Sequence, residues 1–538
     1  MTPSHKRVPC LLLVEDEEQV YRTLQRRLTN EGYQVTLATT YEEAARQLRT
    51  AHFHLAIFDV RLNAADESDQ SGLRLLEELD QLGLLDIMPC IVMTAYGTLQ
   101  MALHALQDLG AVRFIPKEPY YITKLLDAIR EVLGEYEISF NLEYLYQTRQ
   151  VIEEGAEYIW AHESDWPEPQ RLVPEIEDLL GSLFYGARQL WIRKHYRGLS
   201  GSFVMEAHST WAEGVGQSKI VKIGRRDKTA TEEQNYQHHV EPYLPAQHAT
   251  KLNSAYTQHL GALLYTLFGV EAEDTVNFET YYRQHEPAEI LASLHHLFNG
   301  TCQRWYQNRI PPGYENLRDL YFDTFSLSHQ PDRLFNEIRS IRPDYALDAR
   351  TVAFPDLDLE LPNPLHWLEN DAATVMPVCR SITHGDLHAG NILMNPAGDC
   401  WLIDFYRTEQ SHILRDFVEL ETDIKFRLLE HLPPQEFCQL EQVLVNLERP
   451  QQQLTLPPEL TAGTQKAAQV IAGLRTEAWS QLEATQRDPR LIQREYLTSL
   501  LLGTLNILRL RHFKQDPGLQ PRREWALLSA AMMCQRLQ

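Results

Sequence analysis

The order of apolar and polar residues divides this 538-residue chain into two parts with different patterns. From residue 7 to residue 133, short apolar runs alternate with amphipathic stretches, as in parallel strands joined by helices. The clearest strands are Cys10–Val14, Leu55–Phe58, Cys90–Met93 and Val112–Ile115. This pattern predicts an α/β domain whose parallel sheet is covered by helices on both faces.

The pattern changes after Leu133. A helical connector with a Pro-bearing linker is predicted over residues 135–180. Three strands and a helix are predicted next, namely Leu190–Arg193, Ser202–Ala207, Ser218–Gly224 and Thr229–Val240. From residue 251 to residue 366 we expect a mostly helical chain, with aromatic residues and leucines at core spacing.

A hairpin is predicted later in the chain. Ile392–Met394 and Cys400–Ile403 are short apolar runs, and the five residues between them, Asn-Pro-Ala-Gly-Asp, are strong turn formers. Such a hairpin would place Asn391 beside Asp404, where both side chains could face one metal ion.

Charge and cysteine content narrow the class of protein. The formal net charge is -24 and the pI is about 5.3, which opposes nonspecific attraction to nucleic acid or to an anionic membrane. The sequence shows no basic recognition helix, cysteine–histidine finger or basic heptad region. Its seven cysteines lie far apart without a Cys-x-x-Cys pair, as expected for reduced thiols. With no apolar run that fits a signal peptide or a membrane span, we expect a cytoplasmic protein that binds neither nucleic acid nor membrane.

Chemistry-bearing residues follow the predicted strands of the first domain. Glu15 and Asp16 follow one strand, and Asp59, Thr94 and Lys117 follow the others. Because ligands bind beyond the carboxyl ends of parallel strands, these groups are expected to meet at one edge of the sheet. Three carboxylates there repel one another unless a cation lies among them, and their hard oxygens suit Mg²⁺. A hydroxyl and an ammonium nearby would hold a phosphoryl group added to the central Asp.

This constellation resembles the receiver domain of two-component response regulators. The resemblance implies a flavodoxin-like fold, a doubly wound parallel five-stranded sheet, over residues 1–134. It implies that Asp59 is the phosphoacceptor, that Glu15 and Asp16 join it as metal ligands, and that a sensor histidine kinase is the partner. The receiver switch residues that it implies are Thr94, Phe114 and Lys117.

Alternatives for the receiver stay open. The loop over residues 61–72 is longer and more acidic than is usual in that family, which bears on metal affinity and partner docking. A receiver fold that dimerises or docks without being phosphorylated is the competing interpretation. An exposed apolar face on the helices around residues 101–109 or 122–129 would favour a homodimer through the receiver.

The segment THGDLHAGNILMNPAGDCWLIDF carries a second candidate site, because it sets Asp386, Asn391 and Asp404 at spacings suited to phosphoryl transfer from ATP. Such transfer needs a carboxylate that orients the attacking hydroxyl and oxygen ligands for the metal ions. One alternative is that these residues cap turns or face water. Another is a zinc site formed by His384 and His388, which is disfavoured because a glycine follows the first histidine and a hairpin follows both.

The same segment resembles the catalytic and metal-binding loops of the aminoglycoside phosphotransferase and choline kinase families, relatives of the protein kinases. The resemblance rests on a His-x-Asp-x-x-x-x-Asn loop followed by Ile-Asp-Phe. It implies that Asp386 is the catalytic base, that Asn391 and Asp404 are magnesium ligands, and that His384 is the histidine of the catalytic loop. It also implies that Asp416 lies on a helix that braces this loop.

The kinase resemblance implies an α+β, two-lobed, protein-kinase-like fold with a large helical C-lobe. The N-lobe is expected over residues 181–250 and the C-lobe over residues 251–538, with ATP and Mg²⁺ as cofactors. The nucleotide-binding candidates are the strand lysine Lys222, its helix partner Glu232, and Gly198, Gly201 and Ser202, whose backbone N–H groups could approach phosphates. A plain hairpin turn is the alternative for the last three.

These two sites lead to one main hypothesis. Phosphorylation of Asp59 by a sensor histidine kinase would control an ATP- and Mg²⁺-dependent phosphotransferase that acts on a hydroxyl acceptor. The alternative is a non-catalytic, nucleotide-binding scaffold that recruits protein partners under receiver control. The partners expected are thus a sensor histidine kinase and either an acceptor substrate or a protein partner.

Overall fold

The computed structural model describes most of the chain. The described residues are 7–63, 66, 68–95, 98–135, 137–162, 166, 168–197, 201–244, 249–267, 275–328, 330, 332–370, 374–447, 454–483 and 488–538. The chain folds into two compact units, one formed by Met1–Thr231 with Lys251–Thr266 and the other by Glu232–Thr250 with Leu267–Gln538.

Within the described ranges the strands form five sheets. They are β1 (Cys10–Val14), β2 (Gln34–Ala38), β3 (Leu55–Asp59), β4 (Cys90–Thr94), β5 (Arg113–Pro116), β6 (Glu143–Tyr144), β7 (Gln189–Arg197), β8 (Phe203–Trp211), β9 (Gly214–Val215), β10 (Lys219–Arg225), β11 (Ala249–Tyr256), β12 (Leu260–Leu267), β13 (Val276–Asn277), β14 (Ile310–Asn316), β15 (Thr351–Phe354), β16 (Leu359–Pro362), β17 (Val375–Thr383), β18 (Ile392–Met394), β19 (Cys400–Leu402) and β20 (Glu409–His412).

The helices are more numerous in the second half of the chain. They are α1 (Glu18–Asn30), α2 (Tyr41–Thr50), α3 (Ser71–Gln81), α4 (Leu99–Leu103), α5 (Tyr121–Glu135), α6 (Thr148–Trp160), α7 (Pro169–Leu183), α8 (Arg226–Asn235), α9 (Phe278–Gln284), α10 (Pro287–His296), α11 (Gln303–Gln307), α12 (Leu317–Thr324), α13 (Arg333–Ile341), α14 (Pro364–Asn370), α15 (Arg415–Asp423), α16 (Pro434–Val445), α17 (Ala462–Glu483), α18 (Pro489–Ile507), α19 (Arg511–Gln515) and α20 (Arg522–Leu537).

The first sheet has the strand order β2-β1-β3-β4-β5, and its neighbouring strands are all parallel. Leu12 and Phe58 belong to one apolar core, whereas Leu13 and Ile57 belong to another. Because side chains alternate along a strand, the two cores lie on opposite faces of the sheet. The predicted doubly wound, parallel five-stranded sheet is therefore confirmed. The sequence pattern misses β2, in which only Ala38 is buried.

The second sheet of the first unit has the order β11-β12-β10-β8-β7-β6, with β9 paired to β8. The neighbours β12, β10, β8 and β7 are antiparallel, and β6 pairs parallel with β7. On α6 and α7, Ile152 and Leu180 join Phe203 and Val221 in one apolar core. Residues 135–180, interpreted from the sequence as a connector, thus contribute a packed layer of helices.

The paired strands, the third strand and the helix predicted after residue 189 are present as β7, β8, β10 and α8. The sheet then continues past residue 250, the expected end of the N-lobe, into β11 and β12. The expectation of a mostly helical chain from residue 251 onward is wrong here. A buried apolar run such as Leu260–Tyr265 has the same composition in a strand as in a helix, so the pattern alone did not distinguish the two.

The second unit is helical and contains three small sheets, β13-β18-β19, β14-β17-β20 and β15-β16. Helix α18 packs against α20 and α15. Trp305 and Tyr306, two of the aromatic residues at core spacing, are buried. Every helix within the described ranges is too short or too polar to span a lipid bilayer.

Candidate functional site

Three acidic residues meet at the carboxyl edge of the first sheet. Glu15 follows β1 and Asp59 ends β3, and these two strands are neighbours. One carboxylate oxygen from each of Glu15, Asp16 and Asp59 lies within 4.8 Å of the other two. Glu15 is fully buried and Asp59 is 7% exposed. The fold therefore brings together the three metal ligands expected from the sequence.

Lys117 lies between two of these carboxylates. Its Nζ donates hydrogen bonds to Glu15 Oε2 at 2.8 Å and to Asp59 Oδ2 at 2.7 Å. Burial raises the pKa of Glu15 to about 7 and also raises the pKa of Asp59, although the Lys117 ammonium opposes both shifts. Lys117 therefore places one positive charge beside these carboxylates. A divalent cation that prefers oxygen ligands, such as Mg²⁺, fits this donor set.

The expected switch residues lie on the neighbouring strands β4 and β5 and, for Lys117, directly after β5. Thr94 ends β4 and is 1% exposed. Its backbone oxygen accepts a hydrogen bond of 2.7 Å from the N–H of Lys117. Phe114 on β5 is paired with Val92 and packs, half-buried, against one of the two apolar cores. The three groups that the receiver resemblance implied, the Thr94 hydroxyl, the Phe114 ring and the Lys117 ammonium, thus lie on or directly after adjacent strands.

The acidic loop after Asp59 folds back on the strand that carries Asp59. Asp69 Oδ2 accepts a hydrogen bond of 2.7 Å from the N–H of Leu62, and the N–H of Gly72 donates to Val60 O at 3.0 Å. A Cβ added at Gly72 would lie 1.7 Å from the backbone oxygen of Asp59. Only glycine allows this close approach. The sequence did not predict a role for Gly72, because the contact joins two segments that are separated by the loop.

The second candidate site lies where the loop after β17 enters a hairpin. Strands β18 and β19 pair antiparallel, with Met394 opposite Cys400, which confirms the predicted hairpin. The N–H of Ile403 donates to Asn391 O at 3.1 Å. Asn391 therefore lies opposite the residue that precedes Asp404.

Asn391 and Asp404 have backbone and side-chain arrangements that suit metal ligands. Asn391 Nδ2 donates to the backbone oxygen of Asp386 at 2.9 Å, which leaves the amide Oδ1 as the atom that could bind a cation. Asp404 has φ 70° and ψ 71°, in the left-handed region. Non-glycine residues held there cost on the order of 1 kcal/mol and cluster at functional sites. Oxygen donors from an amide and a carboxylate match the preference of Mg²⁺.

His384 has a structural environment. Its Nε2 lies 3.0 Å from the backbone oxygen of Ile403, and its own backbone oxygen accepts from Thr408 Oγ1 at 3.1 Å. Burial lowers the pKa of this imidazole. The neutral ring therefore ties the loop to the segment that carries Asp404.

Glu232 and Asn235 hold the backbone just after Asp404. Glu232 is 2% exposed, and its Oε1 accepts a hydrogen bond of 3.2 Å from the N–H of Phe405. Asn235 Nδ2 donates to the backbone oxygen of Tyr406 at 2.7 Å. The sequence predicted Glu232 as the partner of Lys222 and did not predict this contact with Phe405. Asn235 was missed because nothing in its helix distinguishes it from a solvent-facing residue.

The other nucleotide-binding candidates lie on the second sheet of the first unit. Lys222 on β10 is 9% exposed and pairs with Val204 on β8. Ser202 is buried beside the start of β8, and Gly201 has φ 88°. Gly198 lies outside the described residues.

Two family models match the sequence. The family described as Response regulator receiver domain matches residues 11–130. The family described as Ternary complex associated domain 9 matches residues 187–356 and 356–509, which together exceed half of the chain.

Curated relatives match in the receiver region. The transcriptional regulatory protein GlrR of Escherichia coli K12 is 36% identical over 125 residues, 23% of this chain and 26% of that protein. The uncharacterized transcriptional regulatory protein YkoG of Bacillus subtilis is 35% identical over 126 residues, 23% of this chain and 51% of that protein. The chain thus spans about a quarter to a half of the length of these relatives.

Solved structures match a similar share. The response regulator receiver domain protein (CheY-like) from Methanospirillum hungatei is 30% identical and covers 24% of this chain and 96% of its own, with a TM-score of 0.21. The non-phosphorylated HemR receiver domain from Leptospira biflexa is 32% identical and covers 23% of this chain and 94% of its own, with a TM-score of 0.21.

Proposed function

The chain belongs to the family described as Ternary complex associated domain 9 and carries a response regulator receiver domain, and from this premise we propose that phosphorylation of Asp59 controls an ATP- and Mg²⁺-dependent phosphotransferase in the remainder of the chain. A sensor histidine kinase supplies the phosphoryl group in this scheme. The acceptor of the phosphotransferase is a hydroxyl.

One observation carries the phosphotransferase proposal. The loop after β17 and the β18–β19 hairpin hold Asp386 and Asn391 together through an amide-to-backbone hydrogen bond, and they set Asn391 opposite the residue before Asp404. Phosphoryl transfer depends on positioning and charge rather than on covalent chemistry from the protein. The Asp386 carboxylate and the oxygen ligands from Asn391 and Asp404, all carried by this loop and hairpin, meet that need.

The residues divide the work by their chemistry. Asp386 orients the acceptor hydroxyl and accepts its proton. Asn391 and Asp404 hold Mg²⁺, which when bound neutralises charge on the phosphates. Lys222, which the kinase resemblance implies for the nucleotide phosphates, lies on a buried strand of the first unit.

The receiver supplies the input. Lys117 donates a hydrogen bond of 2.7 Å to Asp59. A phosphoryl group added to Asp59 would interact with the same ammonium and so change this contact. Thr94 lies on the neighbouring strand and offers a hydroxyl. Phosphorylation would therefore rearrange β4 and β5 and change the relative populations of two receiver conformations.

The test compares the wild-type chain with Asp404→Ala. ATP–Mg²⁺ binding and slow hydrolysis are measured for each protein, with and without a small phosphodonor that loads Asp59. Asp399→Ala is the matched control, because Asp399 is an exposed acidic residue in the turn of the same hairpin. We expect hydrolysis that responds to the donor, that is lost in Asp404→Ala and that is retained in Asp399→Ala. Equal hydrolysis by wild type and Asp404→Ala would contradict the assignment.

A second candidate function is a nucleotide-binding scaffold without catalysis. The family description, which names association with a ternary complex, favours it. This function predicts ATP binding that depends on Asp404 but no hydrolysis with or without the phosphodonor. Absence of both binding and hydrolysis would contradict both functions.

A further inference from the structure

Helix α15 carries three carboxylates in the positions i, i+3 and i+7. They are Asp416, Glu419 and Asp423, and this spacing puts them on one face of the helix. Asp416 and Asp423 are buried, and the Glu419 side chain is 17% exposed. We call these three residues the carboxylate ladder, because each accepts backbone N–H groups from the loop that carries Asp386.

Asp416 holds the start of the loop. Its Oδ2 accepts a hydrogen bond of 2.9 Å from the N–H of His384, and its Oδ1 accepts one of 2.9 Å from the N–H of Gly385. The hydroxyl of Tyr306 donates to the same carboxylate at 3.0 Å. Asp416 thus acts as the brace that the kinase resemblance implied.

Glu419 and Asp423 continue this pattern along the loop. Glu419 Oε2 accepts a hydrogen bond of 2.8 Å from the N–H of Leu387. Asp423 Oδ2 accepts one of 2.8 Å from the N–H of Ala389. Carboxylates suit this task because they offer two acceptor oxygens and no donor that would compete with the backbone.

Arginines hold both of these carboxylates in place. Arg415 Nε donates to Glu419 Oε1 at 3.2 Å. Arg427 donates to both oxygens of Asp423, from Nε at 2.5 Å and from Nη2 at 2.8 Å. Burial raises the pKa of Asp423, but Arg427 outweighs it and lowers that pKa overall. Burial raises the pKa of Glu419 to about 7, although Arg415 opposes the shift. Arginine contacts therefore orient both Glu419 and Asp423 toward the loop.

Asp386 lies between two fixed points. The backbone N–H of the preceding residue, Gly385, donates a hydrogen bond to Asp416. The N–H of the following residue, Leu387, donates one to Glu419. We propose that Glu419 and Asp423 are positioning residues for Asp386, so that the ladder as a whole sets where the candidate base stands. This inference rests on the proposed phosphotransferase function. Misplacing a reacting group by about 1 Å costs on the order of a hundredfold in rate, so the effect is measurable.

The experiment uses the full-length chain and the variants Glu419→Ala, Glu419→Gln and Asp423→Asn. For each we measure kcat and KM for ATP hydrolysis, nucleotide affinity, and amide hydrogen exchange of residues 384–391. Glu524→Gln is the control, because Glu524 is an exposed glutamate on α20 of the same unit. Thermal unfolding verifies that each variant is folded.

We expect Glu419→Ala to lower kcat by about tenfold or more with nucleotide affinity within about twofold of wild type. The Gln variant keeps an acceptor oxygen for the N–H of Leu387, so it should recover most of the rate. Exchange of the loop amides should be faster in Glu419→Ala and unchanged in Glu524→Gln.

Two outcomes separate this inference from the function on which it rests. Hydrolysis that is absent from wild type overturns the proposed function and the positioning role with it. Hydrolysis that is present in wild type but unchanged in Glu419→Ala and Asp423→Asn overturns the positioning role alone. A Gln variant as slow as the Ala variant, with the loop amides still protected, would overturn it as well.

Discussion

His52 Nε2 lies 2.9 Å from Asp178 Oδ2, and this contact joins the turn after α2 to helix α7 within the first unit. His54 Nε2 lies 3.0 Å from the same oxygen, and Arg7 forms an ion pair with the same carboxylate. The side chain of Asp178 is 2% exposed. A carboxylate this deeply buried needs charged or hydrogen-bonding partners, so Asp178 is a point at which the receiver sheet is fixed to the helical layer beside it.

We expect Asp178→Ala to lower the free energy of unfolding of the first unit by about 1–3 kcal/mol, because Arg7, His52 and His54 lose the buried carboxylate that they share. Denaturant unfolding of the full-length protein measures this loss. Asp127→Ala is the control, since Asp127 pairs with Arg130 on the exposed surface of α5. Its expected effect is below about 1 kcal/mol. Similar losses in the two variants would contradict a buried role for Asp178.

Acid should weaken the same region. Burial lowers the pKa of His52 and lowers that of His54 well below the usual 6.5, helped in each case by the positive charge of Arg7. The other groups that face this pair are Asp178, Glu175, His259 and Cys10.

The sign follows from which state binds the proton. Below pH 6.5 the unfolded chain protonates these histidines before the folded chain does, so the unfolded state binds more protons. The free energy of unfolding should therefore fall as the pH drops below about 6.5. Unfolding measured from pH 5 to pH 8 tests this, and His54→Asn should flatten the slope. Stability that rises on acidification would refute the assignment.

Gly72→Ala should damage the phosphoacceptor site. The new Cβ would lie 1.7 Å from the backbone oxygen of Asp59, so either the loop or the end of β3 must shift. We expect a loss of stability of about 1–3 kcal/mol and slower phosphorylation of Asp59 by a small phosphodonor. Gly134→Ala on α5 is the matched control, because a Cβ there meets nothing within 4 Å. Its effect should be neutral or stabilising by less than about 1 kcal/mol.

Glu421 lies in a buried charge network of the second unit. Arg475 donates to it at 2.6 Å and 3.0 Å, and Tyr496 donates at 2.6 Å. Burial raises the pKa of Glu421, but Arg475 and Lys425 outweigh it and lower that pKa to about 2. We expect Glu421→Ala to cost about 3–5 kcal/mol of stability, because it leaves the buried Arg475 without its carboxylate.

The pH dependence gives an independent test of that network. The contribution of Glu421 is complete above its usual pKa of 4.5 and is lost as the pH falls toward about 2. Unfolding measured between pH 2 and pH 6 should be less steep in Glu421→Gln than in wild type. Glu430→Gln, an exposed site, should keep the wild-type slope. Parallel slopes in all three proteins would show that Glu421 titrates normally.

The chemical groups at the ends of the receiver strands could be predicted without the structure. Glu15, Asp59 and Thr94 each follow an apolar run, and parallel strands must present their carboxyl ends at one edge, so the order of residues was enough to bring the groups together. The β18–β19 hairpin was equally accessible, because its turn residues and both strands lie within a few positions of one another.

The burial of other polar residues depends on contacts between distant segments and could not be predicted from local sequence. Asp178 and Glu419 lie in segments whose sequence is typical of a solvated helix face, yet each is paired with groups that lie elsewhere in the chain. The partner of Asp178 is 126 positions away, and that of Glu419 is 32 positions away. The sequence did not predict β12 for the same reason. A short apolar run forms a strand when it pairs with a neighbouring strand in the fold, as β12 does with β10. The local sequence shows which hydrogen bonds or ion pairs a side chain can form. The packing of the whole chain determines which distant segment provides the partner.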